Sequence, residues 1–218
     1  MIEYPHIDSV FKRDGRGKFI IGEYSQPEFE YLKDLPWSWT EKIDGTNIRV
    51  MYTLEEGNAS GIRKVIFGGK TSKAQLNAKF VTILEETFPL ELMQEEFGET
   101  DVCLYGEGFG KGIQKVGELY SSTQKFILFD IRVGRWWLKR DSVEEIAARL
   151  NIPVVPKLET GNISLEYMVR DVAAFTDNPP HSNIGTATIE GWVGIPAVPL
   201  LSRSGQRVIT KVKYRDFS

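Results

Sequence analysis

The sequence predicts an α+β fold with largely antiparallel sheets flanked by a few helices. Short runs rich in β-branched and aromatic residues recur along the chain, and such runs are typical of strands. A few helical patterns lie between them, without the regular alternation of strand and helix that parallel sheets require. With 218 residues, of which 41% are hydrophobic, the chain is long enough to bury a sizeable core.

The predicted strands are residues 37–42, 47–52, 62–67, 102–107, 126–133, 188–194 and 207–213. Between the first two lies the pair Asp44-Gly45, which favours a tight reversal of the backbone. Residues 43–46 are therefore predicted to form a hairpin-like turn, with Lys42 at its mouth.

Three helices are predicted. Ser142 and Glu145 form a capping-box pattern ahead of residues 146–150, and Pro153 follows where that helix should end. Residues 72–86 and 164–175 are the other two candidates. Residues 84–101 hold seven acidic residues and no basic one, which predicts a solvated helical face.

No internal repeat, low-complexity tract or Gly/Ser linker marks a domain boundary, so a single catalytic domain over residues 1–218, without a separate C-terminal domain, is expected. Apolar runs fall short of the roughly 20 residues that cross a bilayer. Residues 1–11 lack the apolar core of a signal peptide, and Cys103 is the only cysteine. These features predict a monomeric cytoplasmic protein with no membrane partner.

Two common nucleotide motifs are excluded. Residues 67–71 look like the end of a P-loop, but the first glycine of that motif would stand at the position of Lys64. The alternating glycines of residues 106–112 lack the dinucleotide spacing, because Lys111 occupies the position of the last glycine. Any nucleotide site must therefore be built differently.

The most informative segment is residues 41–47, Glu-Lys-Ile-Asp-Gly-Thr-Asn. A lysine is nucleophilic only when unprotonated, and burial or neighbouring cations favour the neutral amine. Lys42 lies among apolar strand residues, and Lys211 and Lys213 on the last predicted strand can place positive charge beside it. By itself, however, a Lys-x-Asp-Gly tetrapeptide is also typical of an ordinary hairpin.

Further segments follow in a set order: Gly-Glu-Gly at 106–108, Phe-Asp at 129–130, Glu-Gly-Trp-Val at 190–193 and Lys-Val-Lys at 211–213. This order resembles the five-part signature of the covalent nucleotidyltransferases, which comprise RNA ligases, DNA ligases and mRNA-capping guanylyltransferases. Residues 41–47, 105–117 and 126–131 resemble most closely the RNA ligases of the second type. The resemblance covers residues 41–213 and implies a nucleotidyltransferase (ATP-grasp-like ligase) domain.

The resemblance implies that Lys42 forms lysyl-AMP with ATP and Mg²⁺, for which Mn²⁺ can substitute, and that the enzyme joins 3′-hydroxyl and 5′-phosphate ends of RNA or DNA. It also implies that Glu107 holds the ribose hydroxyls, Phe129 stacks on adenine and Glu190 binds the metal. The implied nucleotide-binding set is Glu41, Lys42, Ile43, Asn47, Lys70, Glu107, Phe129, Glu190, Lys211 and Lys213.

Two of these positions follow from simple chemistry. Lys211 and Lys213 are two residues apart on a strand, so both point to one face and can hold the same phosphates.

Lys70 stands where the family normally has an arginine, and a lysine cannot make the forked contact of a guanidinium. The phosphate-binding role of Lys70 is the least secure part of the resemblance.

Contacts to nucleic acid are predicted at two places. Asn47 and Arg49 share one face of their strand, and the resemblance implies that Asn47 helps to place the nucleic-acid ends. The tail after residue 201 is basic, and its Arg203 and Arg207 predict a phosphate-facing surface. The nucleic-acid substrate is expected to be held by the core surface, by this tail or by a partner protein.

Two alternatives remain open from the sequence. A GTP-dependent capping-type guanylyltransferase uses the same lysine chemistry, and the choice between ATP and GTP as labelling substrate separates it from a ligase. A non-catalytic nucleic-acid end sensor on the same fold would bind ends without forming a covalent adduct.

Overall fold

The computed structural model describes residues 3–55, 61–71 and 73–217. The chain divides into two compact units, each with its own hydrophobic core. Unit 1 is Met1–Tyr4 with Asp44–Val154, and unit 2 is Pro5–Ile43 with Val155–Ser218. A catalytic domain can consist of two compact units, so the single catalytic domain stays a prediction.

The strands, in chain order, are β1 (Asp8–Ser9), β2 (Phe11–Arg13), β3 (Phe19–Tyr24), β4 (Pro36–Glu41), β5 (Thr46–Leu54), β6 (Arg63–Gly68), β7 (Val102–Phe109), β8 (Lys125–Val133), β9 (Trp136–Trp137), β10 (Ile163–Ser164), β11 (Gly191–Pro196) and β12 (Thr210–Lys213). The α-helices are α1 (Pro27–Leu32), α2 (Ala78–Thr87), α3 (Leu90–Phe97), α4 (Gly117–Tyr120), α5 (Arg140–Arg149) and α6 (Leu165–Ala174). A 3-10 helix covers Tyr214–Asp216.

Unit 2 contains a five-stranded sheet in the order β1-β12-β11-β4-β10, together with the separate hairpin β2-β3. The sheet is antiparallel except for the parallel pair β1 and β12. Its core is aromatic: the stacked indoles of Trp37 and Trp39 are fully buried, and Phe29 packs edge-on against Trp37. Helix α6 adds its apolar face, including Val172, to the same cluster.

Unit 1 contains an antiparallel sheet in the order β6-β5-β7-β8-β9. Alternate side chains of β5 and β7, such as Ile48, Val50 and Leu104, join a core completed by α2, α3 and α5. Because side chains alternate along a strand, the intervening residues of β5 and β7 point to the opposite face of the sheet. That opposite face carries the polar residues considered below.

The α+β prediction and the predicted strands in unit 1 are confirmed, whereas two predicted strands begin later than expected. The segments at 188–194 and 207–213 become strands only from Gly191 and Thr210. The hairpin at residues 43–46 is wrong. β4 pairs with β10 and β11, while β5 pairs with β6 and β7, so this turn joins two sheets.

The helices also show corrections. The predicted capping box is wrong, because α5 begins at Arg140 and Ser142 lies inside its first turn, where Arg140 pairs with Glu144. The helix predicted from residue 72 begins at Ala78, capped by the side chain of Asn77; residue 72 lies outside the described residues. The acidic stretch forms parts of α2 and α3 and is largely exposed, as predicted.

Within the described part of the chain, none of the helices combines the length and apolar character needed to cross a membrane.

The packing of β11 on Trp39 gives a test of the unit 2 core. Gly194→Ala is expected to lower the free energy of unfolding by about 2 kcal/mol, because the added Cβ would overlap the buried ring of Trp39. Trp39 cannot easily move away, since its indole N–H donates to the carbonyl of Ile163. Urea denaturation measures the change. Gly15→Ala is the control, because no atom lies within 4 Å of its added Cβ; equal stability of the two variants would contradict this account of the core.

Candidate active site

Lys42, Glu190 and Lys213 meet at one end of three adjacent strands of unit 2. Lys42 directly follows β4, Glu190 directly precedes β11, and Lys213 ends β12. The antiparallel register aligns these ends, since Trp192 pairs with Glu41 and Gly191 pairs with Lys213. Residues separated by about 150 positions in the sequence are thus placed side by side by strand pairing.

The three side chains form an ion-pair cluster around the carboxylate. Lys42 Nζ lies 2.5 Å from Glu190 Oε2, and Lys213 Nζ lies 2.8 Å from Glu190 Oε1. Arg215 adds a more distant contact of 3.8 Å to Oε1. The Glu190 side chain is only 10% exposed, against 24% for Lys42. Charges this poorly solvated are stable only when paired.

The titration of Glu190 reflects this balance. Burial disfavours the carboxylate and by itself would raise the pKa. The ammonium groups of Lys42 and Lys213 outweigh that effect, and the pKa of Glu190 lies below its ordinary value. Glu190 is therefore a charged anchor between two cations, and a poor proton acceptor at neutral pH.

Backbone contacts hold the cluster in place. The Lys42 N–H donates to the carbonyl of Gly191 at 2.9 Å, and the Tyr214 N–H donates to the carbonyl of Glu190 at 3.2 Å. Gly191 has a positive φ of 158°, and a Cβ there would overlap the carbonyl oxygen of Val212. The glycine after Glu190 is thus required for the close approach of β11 to β12.

Lys211 and Lys213 lie on one face of β12, as the spacing predicts, while Thr210 and Val212 point into the core. Their contacts differ. Lys213 binds Glu190, whereas the Lys211 ammonium donates to the carbonyl of Ile7 at 2.7 Å. The structure therefore brings one lysine of the pair directly to the cluster and places the other beside it on the same strand face.

The residues flanking Lys42 are buried. Glu41 is 2% exposed, and its two carboxylate oxygens accept hydrogen bonds from the hydroxyl of Ser182 and the backbone N–H of Asn183. Ile43 is 3% exposed. In this structure Glu41 fixes the loop at 182–183, and its predicted contact with a nucleotide stays a prediction.

In unit 1, β5 and β7 place Asn47 directly opposite Glu107. The preceding segment is anchored, because the Gln114 side chain donates to the carbonyl of Gly45 at 2.9 Å and the Tyr120 hydroxyl accepts from the Asp44 N–H at 3.4 Å. A Cβ on Gly45 would overlap the carbonyl oxygen of Gly108. The glycine of the Lys-x-Asp-Gly motif therefore serves close packing as well as the turn.

A β-bulge determines the position of Phe129. Gly106 pairs with Leu128 and Tyr105 pairs with Asp130, so Phe129 is the extra residue of β8. Bulges re-aim a side chain and are common beside active sites. The Phe129 ring meets the ring of Tyr4 edge-on at 5.0 Å, and the Tyr4 hydroxyl donates to Asp130 at 2.9 Å.

Arg49 and Lys70 occupy adjoining positions with opposite exposure. Arg49 is fully buried, and its Nε donates to the carbonyl of Gly69 at 2.7 Å, next to the exposed Lys70. Arg49 is therefore covered in this structure, and its predicted contact with nucleic acid stays a prediction. The alternation of β5 does place it on the face of Asn47, but its guanidinium is covered there and supports the loop that carries Lys70.

Arg203 and Arg207 lie in the connection between β11 and β12, whose strands pair from Gly191 with Lys213 to Gly194 with Thr210. They are therefore at the opposite end of this strand pair from the ion-pair cluster. The structure does not bring them to Lys42, and their binding of nucleic acid stays a prediction.

Four residues near the site were not predicted from the sequence: Tyr4, Gln114, Ser182 and Arg215. For Arg215 a signal was present, because it continues the two-residue spacing of Lys211 and Lys213. The other three contact their partners through folding of distant segments, and no local pattern marks them.

The donor set fits a magnesium ion only in combination with phosphate. Among the described residues, no group of three or more histidine, cysteine, aspartate or glutamate side chains is placed to hold a metal ion. Glu190 offers a charged, poorly solvated carboxylate beside the ammonium groups of Lys42 and Lys213. Mg²⁺ commonly binds through one or two carboxylates, substrate phosphates and water, so Glu190 is a suitable single protein ligand.

The chain and its fold are similar to those of known proteins. The model of the family described as RNA ligase matches residues 35–213. The fold is similar to solved structures of Naegleria gruberi RNA ligase: a glutamate-to-alanine variant with ATP and Mn (TM-score 0.64, 20% identity), an aspartate-to-alanine variant in the apo form (0.63, 20%) and a lysine-to-methionine variant with AMP and Mn (0.63, 20%). A search of the curated proteins finds no match.

These structural matches cover 96% to 98% of this chain. The chain spans 57% to 62% of the length of the solved structures. At 20% identity the likeness shows a shared fold, which confirms the predicted α+β ligase-type architecture.

The cluster predicts a pH-dependent loss of stability. Glu190→Gln is expected to lower the free energy of unfolding at pH 7 by about 3 kcal/mol, because it leaves two poorly solvated ammonium groups without their counter-ion. Since the pKa of Glu190 is lowered in the folded protein, its stabilisation is present above the ordinary value of 4.5 and is lost as the pH falls through the folded value. The difference between wild type and variant should therefore shrink below pH 4.5. Urea denaturation over a pH series measures it.

Glu159→Gln is the matched control, since Glu159 is exposed and makes no ion pair with a described residue. It should change stability little at any pH. A Glu190→Gln effect independent of pH would contradict the role of the carboxylate charge.

Proposed function

The chain belongs to the RNA ligase family, and we propose that it is an ATP-dependent RNA ligase that joins 3′-hydroxyl and 5′-phosphate ends through a lysyl-AMP intermediate on Lys42. The observation that carries the proposal is the cluster of Lys42, Glu190 and Lys213, in which a lysine, a carboxylate and a second cation converge. The Naegleria ligase structures with ATP or AMP and Mn support ATP and a divalent metal as cofactors.

In the first step, Lys42 Nζ attacks the α-phosphorus of ATP. A nitrogen–phosphorus bond forms, the bond from the α-phosphorus to the β-phosphate oxygen breaks, pyrophosphate leaves, and the amine loses its proton to solvent water. Glu190 hydrogen-bonds this amine at 2.5 Å and so fixes its direction. Because the pKa of Glu190 is lowered, the carboxylate orients the amine but is too weak a base to remove its proton efficiently.

Lys211 and Lys213 supply positive charge at the phosphates. Phosphoryl transfer is accelerated mainly by aligning the reacting groups and by neutralising the charge on the phosphate oxygens. Lys213 is already held beside Glu190, 11% exposed, so little reorganisation is needed for it to meet a phosphate. A divalent cation bound by Glu190 would add charge compensation at the same place.

The family resemblance assigns the contacts with the nucleoside to two residues of unit 1. Glu107, opposite Asn47 on the sheet, is proposed to hold the ribose hydroxyls, since a carboxylate accepts two hydrogen bonds. Phe129, set out of the strand by its bulge, is proposed to stack on adenine. The ring of Tyr4 contacts the Phe129 ring edge-on, and this contact restricts the orientation of Phe129 before ATP binds.

The later steps need the same site. AMP passes from Lys42 to the 5′-phosphate of one RNA end, and the 3′-hydroxyl of the other end then attacks that phosphate and releases AMP. Each step is a displacement at phosphorus that requires neutralised oxygens and aligned reactants. One cluster of cations around Glu190 can serve all of them in turn.

Covalent labelling tests the first step. Incubation with α-labelled ATP and Mg²⁺, followed by a denaturing gel, is expected to give a labelled protein band. Lys42→Ala should abolish the band, because it removes the attacking nitrogen. The label should be released by acid and retained in alkali, as is expected of a phosphoramidate bond.

Lys157→Ala is the control for this experiment, since Lys157 is an exposed lysine of the same unit, and it should label normally. A band from α-labelled GTP in place of ATP would point to a capping-type guanylyltransferase. No band with either nucleotide, in protein free of prebound AMP, would contradict the ligase proposal and favour an end sensor.

A second set of variants tests whether Phe129 stacks on adenine. Phe129→Ala is expected to raise the KM for ATP in the labelling reaction about tenfold or more, because aromatic stacking on a base contributes about 1–3 kcal/mol. Phe175→Ala, at an exposed phenylalanine of unit 2, should leave the KM unchanged. Thermal unfolding of both variants shows whether they are folded. An unchanged KM in a folded Phe129→Ala protein would remove Phe129 from the proposed site.

A further inference from the structure

A groove of about 480 Å³ lies in unit 2, outside the cluster of Lys42 and Glu190. The hairpin β2-β3 and helix α6 form its walls, and the residues after β12 contribute to its lining. Its floor is largely aromatic: the ring of Phe19 lies 5.7 Å from Phe11 and 5.3 Å from Phe217, and Phe11 lies 5.1 Å from Tyr24. This combination offers an apolar surface of the size of a nucleobase.

The hairpin above the groove is strongly basic. Residues 12–18 hold four basic residues and one acidic residue, although the whole chain has a net charge of -3. All seven are exposed. Arg16 and Lys18, at the turn, make no ion pair with any residue that the structure describes. They are therefore cations whose charge is available to a ligand.

The hairpin is held firmly in place. The Asp14 carboxylate accepts from the backbone N–H groups of Arg16 and Lys18 at 2.8 and 2.9 Å, which closes the turn. Arg13 pairs with Asp216 at 2.9 Å and lies over the ring of Phe19 at 4.5 Å. The basic turn is thus a preformed feature, and binding to it requires little ordering of the backbone.

Cations flank the groove on both walls. Lys18 lines it from the hairpin, and the exposed Arg170 lines it from α6. Two carboxylates also line it: the charge of Asp216 is balanced by Arg13, whereas Glu166 accepts from the neutral hydroxyl of Tyr24 at 2.7 Å and keeps its charge. The cations at the rim and the apolar floor match a ligand with a negative backbone and flat apolar groups.

The groove and the ion-pair cluster are connected through one short segment of the chain. Lys213 and Arg215 contact Glu190, while Asp216 and Phe217, the next residues, line the groove. The 3-10 helix Tyr214–Asp216 therefore links the two places within unit 2.

We propose that this groove binds an unpaired nucleotide of the RNA strand whose end is joined, with a base on the aromatic floor and the neighbouring phosphates at Arg16, Lys18 and Arg170. Aromatic surfaces within a basic groove are the usual means of holding single strands without sequence preference. The inference rests on the proposed ligase function, because it identifies the surface that holds the substrate of the same site.

Charge reversal at the turn tests the phosphate contacts. The probe is a 5′-phosphorylated, fluorescent single-stranded RNA of about 16 nucleotides, bound to the full chain at several salt concentrations. The double variant Arg16→Glu with Lys18→Glu is expected to weaken binding about tenfold or more. Its dependence of log affinity on log salt should be shallower by about 1.4, since each single-strand phosphate contact contributes about 0.7.

The matched control is Lys79→Glu with Arg135→Glu, an equal change of charge at exposed residues of unit 1. It should bind RNA nearly as wild type does. An equal loss in both double variants would show a general effect of net charge and would overturn the proposal, as would unchanged binding by the hairpin variant.

A second pair of variants tests the base site without changing charge. Ala173 lines the groove and Ala174, the next residue of α6, does not; both are exposed. Ala173→Trp fills the groove and is expected to weaken RNA binding about tenfold, whereas Ala174→Trp should have little effect. Normal RNA binding by Ala173→Trp would overturn the proposal and would favour a protein ligand for the groove.

Labelling with ATP separates this inference from the proposed function. The groove variants retain Lys42 and Glu190, so they should form the covalent adduct as wild type does, which also shows that they are folded. Loss of RNA binding with normal labelling supports the groove. Absence of labelling in the wild type would contradict the ligase proposal, while the binding data would still decide whether the groove holds RNA.

Discussion

The ion pairs of Glu190 with Lys42 and Lys213 depend on one constraint, the antiparallel register of β4, β11 and β12. This register aligns the end of β4, the start of β11 and the end of β12. Because side chains alternate along a strand, a slip of one residue would turn Lys213 to the opposite face and separate it from the carboxylate. The buried Trp37 and Trp39 on β4 oppose such a slip, since it would expose both indoles.

The same ion pairs serve stability and chemistry in different ways. Without nucleotide, Glu190 pairs with two poorly solvated cations, and its single negative charge offsets one of their two positive charges. In the proposed reaction, the phosphates of ATP would bring negative charge to the same place and would compete with Glu190 for the lysines. A cluster that keeps a net positive charge, with its cations already held in place, would need little rearrangement when a phosphate binds. The lowered pKa of Glu190 keeps this balance over the neutral pH range.

In unit 1, particular side chains are exposed on one face of a tightly packed sheet. The β-bulge at Phe129 takes that ring out of the regular alternation, and Tyr4 packs against it from the N-terminal segment. Gly45 allows the backbone of the lysine motif to lie close to β7, and Gly108 leaves room for the ring of Phe80. Small residues and a bulge therefore shape the face that Asn47 and Glu107 share.

The sequence by itself determined what depends on local chemistry. Runs rich in β-branched and aromatic residues located seven of the strands, and the two-residue spacing of Lys211 and Lys213 placed both on one face of β12. The order of the short motifs identified the family and singled out Lys42 and Glu190. These features need only the chain's own periodicity and the chemical character of its side chains.

The tertiary structure decided what depends on which distant segments pair. It assigned β4 and β5 to different sheets, where the Asp-Gly turn had suggested a hairpin, and it buried Arg49 under the loop at Gly69. It also joined Glu41 to Ser182 and assembled the groove from a hairpin, a helix and the residues after β12. Strand alternation determines the face of a sheet on which a residue lies, but only the packing of remote segments determines what covers that face.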